Sequence, residues 1–123
     1  MSELVSKVDY ARFLDDVLGI DSRIRFVAMY DGHLKAKFQE RISDVFKEHE
    51  IKSCLSEALK MRTYGKKINF YDVQPKFLMV HYDQINQIAI PLENNEIVLV
   101  TTEMDVEIHK IVEKIIEFRK LYS

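Results

Sequence analysis

Two short segments of this chain are apolar on both of their faces, and they constrain its fold more than any other feature. In Ile24–Asp31, Ile24, Phe26, Ala28 and Tyr30 share one face of an extended strand, while Val27 and Met29 make the other face largely apolar. In Glu96–Thr102, Ile97, Val98, Leu99 and Val100 follow one another without a polar break. Side chains alternate across a strand, so an unbroken apolar run puts apolar surface on both sides of the sheet. Each of these strands is therefore expected near the middle of a sheet that is covered above and below.

The rest of the chain supplies the cover. Leu4, Val8, Ala11, Leu14 and Leu18 recur every three or four residues, predicting a first helix from about Glu3 to Leu18 that stops at Gly19. Met104, Ile108, Ile111, Ile115, Phe118 and Tyr122 predict a last helix, with Asp105 as its N-cap and Arg119 and Lys120 near the negative end of its dipole. Between them a less regular middle helix is expected over about Lys47–Arg62, followed by a connector ending at Pro75. Leu34–Gln39 alternates apolar residues with Lys35, Lys37 and Gln39, the pattern of an edge strand guarded by lysines. Asp31-Gly32 joins it to the preceding strand by a tight turn. A meander of Phe77–Tyr82, Asn86–Leu92 and Glu96–Thr102 follows, with a turn at Asn94-Asn95 and Pro91 placed at a strand end. The order helix, two strands, helix, three strands, helix does not alternate, which argues against a doubly wound parallel sheet. It predicts an α/β (α+β) domain: a five-stranded, mainly antiparallel sheet with helices on both faces.

A chain of 123 residues is the size of one domain, expected to span 1–123. Its 18 basic and 20 acidic residues give a net charge of −2, which disfavours a general nucleic-acid binder. The lone Cys54 forms no internal disulfide, and no apolar run approaches the roughly 18 residues that cross a bilayer. With no signal-peptide pattern at the start, a cytoplasmic protein is expected.

The residues that carry chemistry are scattered. There is no GxSxG, no phosphate-binding glycine loop and no CxxC, and His33, His49, His81 and His109 show no i, i+4 pairing with one another. No metal and no cofactor are expected. His81 and Asp83 offer two ligands on one strand face, which is not a site, and His109 with Glu113 reads as a surface ion pair. Cys54 lies five residues beyond His49, on a diverging helix face, so it reads as a small apolar residue, buried or at an interface. Lys60, Arg62, Lys66 and Lys67 cluster around Thr63-Tyr64-Gly65 at the end of the middle helix. They complement the helix C-terminus, and they are candidates for contact with an anionic partner. Phe70, Tyr71, Phe77 and Tyr82 flank the connector and leave a second reading open, a small-molecule-sensing domain with an aromatic-lined cleft.

The element order resembles the roadblock fold, a relative of the profilin-like and longin folds, over nearly the whole chain. More closely, the segments IRFVAMYDGH, EALKMRT and INQIAIPLENNEIVLVTTE, with the isoleucine-rich helix after them, resemble a family of short archaeal proteins without established activity. Where roadblock sequences often place glycine before the first strand, Ser22-Arg23 stands here. The resemblance implies pairing of two copies through the middle helix and an edge strand. On this chain those are Lys47–Arg62 and Phe77–Tyr82, with Ile51, Leu55, Ala58, Leu59, Phe77 and Met79 at the interface. It further implies a non-enzymatic homodimeric scaffold or regulatory module that binds protein, such as a small GTPase or a larger assembly. The middle helix carries apolar residues over more than one face, some of which a monomer leaves exposed.

Overall fold

The computed structural model describes residues 10–42, 48–56, 59–60, 76–92 and 95–122. In chain order these form α1 (Tyr10–Leu18), β1 (Ile24–Tyr30), β2 (Leu34–Phe38), α2 (helical over 48–56 and 59–60), β3 (Leu78–His81), β4 (Ile85–Pro91), β5 (Ile97–Glu103) and α3 (Ile108–Leu121). Residues 3–9 of the expected first helix, parts of the expected middle helix, the connector 65–74 and Asn94 lie outside the described residues.

The strands make one sheet in the order β2-β1-β5-β4-β3, with every neighbouring pair antiparallel. The two doubly apolar strands are neighbours, β5 in the centre and β1 beside it. This is the expected five-stranded architecture, and the pleat divides its core in two. On one face, Phe13, Leu14 and Val17 of α1 and Ile111, Val112 and Ile115 of α3 meet Val27, Met29, Ile88, Ile90, Val98 and Val100. On the other, Ile51, Cys54 and Leu55 of α2 meet Phe26, Ala28, Ala89, Ile97 and Leu99. Phe26 also stacks on Phe38 across the β1–β2 pair, with ring centroids 4.9 Å apart. Each large apolar side chain removed from water this way is worth about 1.5–3 kcal/mol.

A register shift between Ile24 and Phe26 against β5 breaks the alternation at the start of β1. It lets both Ile24 and Val27 join the α1/α3 core, while Arg25 reaches Glu50 of α2. The turns follow local chemistry. Gly32 takes φ 109° after Asp31, whose carboxylate accepts the His33 N–H at 3.1 Å. Pro91 closes β4, where a missing N–H does least harm to the ladder.

The start of α3 corrects the sequence reading. Asp105 is not the N-cap; Glu107 holds that position, makes no side-chain cap bond, and pairs with Lys110 at 2.7 Å. Asp105 instead takes φ 64° in the turn leaving β5, and its carbonyl accepts the Arg23 guanidinium at 2.7 Å. Among the described residues no helix is long and apolar enough to cross a membrane.

Candidate functional site

A five-stranded sheet has two edges, and these two differ. On β2, Lys37 pairs with Asp15 of α1 at 2.8 Å, and the Lys35 ammonium lies 5.5 Å from the Tyr10 ring centroid. β3 reads LMVH and carries no lysine or carboxylate. Leu78 lies opposite Ala89, on the α2 face, and Met79 lies opposite Ile88, on the α1/α3 face. Both are large apolar side chains left open, 43% and 42% exposed, and Leu59 near the end of α2 is 41% exposed.

The predicted interface residues therefore separate. Leu59 and Met79 are exposed. Ile51 and Leu55 are half-buried against the α2-side core. Phe77 packs against the opposite core, its ring edge-on to His109 at 5.4 Å. Ala58 lies outside the described residues, as do Arg62, Lys66 and Lys67 of the basic cluster; Lys60 is exposed. Leu78 was missed as an interface candidate, and its signal was its place in an uncharged strand segment.

Polar contacts fix α2 on the sheet. The Glu50 carboxylate accepts from the Arg25 guanidinium, with Nε at 3.2 Å from Oε1, and from Thr101 Oγ1 at 3.2 Å. Gln87 Nε2 donates to Ser53 Oγ at 3.1 Å. On the other face, Glu96 is buried and accepts from Arg119 Nε at 2.8 Å, Arg119 Nη2 at 3.0 Å and the Tyr10 hydroxyl. Burial, and after it the hydrogen bond and charge of Glu96, push the Tyr10 phenol well above its usual pKa. The bond to Glu96 likewise raises Arg119. This trio joins α1, the start of β5 and α3.

At the β3–β4 turn, Ser53, His81, Tyr82, Asp83, Gln84, Ile85 and Gln87 line an open cleft of about 740 Å³. The turn is closed by the Tyr82 N–H, which donates to the Ile85 carbonyl at 2.9 Å. Of the four aromatics expected around a cleft, Tyr82 lines this one and Phe77 lies against α3. Phe70 and Tyr71 lie outside the described residues. Sequence reasoning missed Ser53, Gln84 and Gln87. The available signal was Asn86-Gln87, two polar residues inside a strand otherwise reading as buried.

Among the described residues no three His, Cys, Asp or Glu side chains converge on a metal position. His81 Nδ1 meets Asn86 Oδ1 at 2.6 Å. The expected His109–Glu113 pair is secondary: Glu113 binds Lys76 at 2.8 Å, with His109 a weaker electrostatic neighbour that faces Phe77. An exposed i, i+4 pair is worth only tenths of a kcal/mol, so a better placed cation outcompetes it. Cys54 is buried, the first of the two places expected for it.

No protein-family model matches the chain, and no curated protein matches it. Solved structures do. A Roadblock/LC7 domain from Streptomyces avermitilis superposes with a TM-score of 0.69 at 12% identity, over 94% of each chain. MglB from Myxococcus xanthus gives 0.62 at 11% identity, over 93% of this chain and 94% of its own. An MglB with a tetrameric arrangement gives 0.58 at 7% identity, over 92% and 89%. Identities this low speak to fold alone, and the fold they share with this chain is the roadblock fold.

Proposed function

Proceeding from that fold, we propose that the chain is a non-enzymatic regulatory or scaffold module that pairs with a second copy and binds a protein partner. The observation that carries the pairing is the contrast between the two sheet edges. An edge strand presents a row of unpaired backbone donors and acceptors, which proteins commonly guard with charge. β2 has its lysines; β3 has none, and Leu78 and Met79 stand exposed on its two faces. Antiparallel pairing of two β3 strands extends the sheet and covers both side chains. It also brings together the two α2 helices, where Leu59 is exposed and Ile51 and Leu55 are half-buried. The tetrameric arrangement of one MglB neighbour supports self-association of this fold.

The partner class follows from the resemblance drawn from the sequence: a small GTPase or a larger assembly. Lys60, with Arg62, Lys66 and Lys67 close behind it in sequence, provides the contact for an acidic partner surface. A cytoplasmic setting and an archaeal source belong to the same reading. Sedimentation equilibrium at micromolar concentration tests the pairing. The expected mass is twice 14.6 kDa, falling to 14.6 kDa for Leu78→Lys with the fold retained. A wild-type monomer throughout that range contradicts the proposal.

A further inference from the structure

We propose that two copies of this chain join through β3 in one register, with the two-fold axis at Val80 and Leu78 of each copy seated against the partner's Tyr82. This rests on the pairing proposed above and fixes where the second copy lies. The register follows from which backbone groups of β3 face outward. The Tyr82 N–H donates to the Ile85 carbonyl at 2.9 Å, so Tyr82 turns its backbone groups towards β4. Hydrogen-bonded and non-hydrogen-bonded pairs alternate along an antiparallel ladder. Counting back, Val80 opposite Gln87 and Leu78 opposite Ala89 also bond inward. Met79 and His81 therefore turn their N–H and C=O groups to the open side, where β3 has no neighbouring strand among the described residues.

Two-fold symmetry leaves few ways to join these groups to a second copy. With the axis at Val80, Met79 of each copy bonds the partner's His81, and every outward group is satisfied within β3 itself, Leu78–His81. With the axis at Met79, His81 needs the partner's Phe77, which lies before the strand. With the axis at His81, Met79 needs the partner's Asp83, which lies beyond the strand. With the axis at Leu78, His81 falls opposite the partner's Pro75, which has no N–H to donate. Backbone groups covered without a bond are costly, so the axis at Val80 is favoured.

The side chains agree. Leu78 lies opposite Ala89 of the α2-side core, Val80 lies opposite Gln87, which bonds Ser53 of α2, and Tyr82 lines the cleft with Ser53. All three thus share the α2 face. Leu78 is 43% exposed and Tyr82 41%. The axis at Val80 brings each against the other across the two strands, at non-hydrogen-bonded positions where side chains approach most closely. Asp83 falls opposite the partner's Phe77, one residue from the partner's Lys76, so opposite charges meet at both ends of the contact. A second copy therefore matches this edge in its backbone, apolar and charged groups. Because Tyr82 belongs to the cleft lining, the partner's Leu78 becomes part of the cleft wall.

The test is disulfide trapping in the full chain, with Leu78→Cys, Met79→Cys or Val80→Cys on a Cys54→Ala background, at a concentration where sedimentation shows the pair. The two facing Cα atoms at position 80 lie about 4.5 Å apart, within disulfide reach. Those at position 79 lie about 7–8 Å apart, and those at position 78 more than about 13 Å. Val80→Cys is expected to link at least about tenfold faster than Met79→Cys, and Leu78→Cys not measurably. A second measurement needs no substitution. In a mixed sample of ¹³C-labelled and unlabelled wild-type chain, nuclear Overhauser contacts are expected from the Leu78 methyl groups to the partner's Tyr82 ring. Within one copy these two residues stand about 13 Å apart, beyond the reach of that effect. Fastest linking at position 78 or 79, or no Leu78–Tyr82 contact in a confirmed pair, overturns the register and leaves the pairing standing. A monomer throughout overturns both.

Discussion

Glu96 is a buried carboxylate whose charge is met by the Arg119 guanidinium and the Tyr10 hydroxyl. Removing one member of such a group leaves a charge stranded away from water. Arg119→Ala is therefore expected to lower unfolding free energy by about 3–5 kcal/mol in urea denaturation. Arg119→Lys should cost less, because an ammonium keeps the charge while losing the two-pronged geometry. Tyr10 gives the trio a pH signature. Its folded pKa is raised above the ordinary value of 10.0, so the folded state holds this proton more tightly than the unfolded chain does. The resulting stabilisation is complete below the unfolded pKa and is lost as pH rises through the folded one. Thermal melts from pH 9 upward should show wild type losing stability faster than Tyr10→Phe, and equal slopes would remove the argument. None of this was legible in the sequence, since Tyr10 and Arg119 stand 86 and 23 residues from Glu96. Glu96 itself had read only as the first residue of an apolar strand.

The elements were more legible, and the reason is periodicity. Apolar runs marked β1 and β5 as interior strands, alternation with lysine marked β2 as an edge, and three-and-four spacing marked α1 and α3. These patterns report burial, which is what sorts strands within a sheet. Helix ends were less legible, because they depend on distant groups. Asp105 is suited to capping, yet its carbonyl is held by Arg23 from the turn before β1, and α3 starts later, at Ile108. The seating of α2 likewise depends on a pair remote in sequence, Arg25 and Glu50, together with Thr101. Replacing Glu50 with Ala strands the Arg25 charge and releases the helix from β1 and β5. Hydrogen exchange should then accelerate over residues 48–56 by about 10- to 100-fold while protection in β5 holds, consistent with about 1.5–3 kcal/mol for bonds to charged groups. Equal loss in both elements would mean that α2 is not separately anchored.

At the scale of the molecule, the described residues guard one sheet edge with charge and leave the other uncharged. The lysines of β2 engage α1, and β3 ends the sheet with two exposed apolar side chains. Pairing through β3 places the two β2 strands at the far ends of a ten-stranded sheet, nine spacings of about 4.8 Å apart, or roughly 43 Å. It keeps the two β3–β4 turns within about 30 Å of each other, because each lies only a few residues beyond the centre of its strand. Pulsed electron–electron dipolar spectroscopy measures both spans directly, with spin labels at Asp83→Cys or Lys35→Cys on a Cys54→Ala background. Self-association through β3 predicts the short distance at position 83 and the long one at position 35. A short distance at position 35 with a long or absent coupling at position 83 would contradict it.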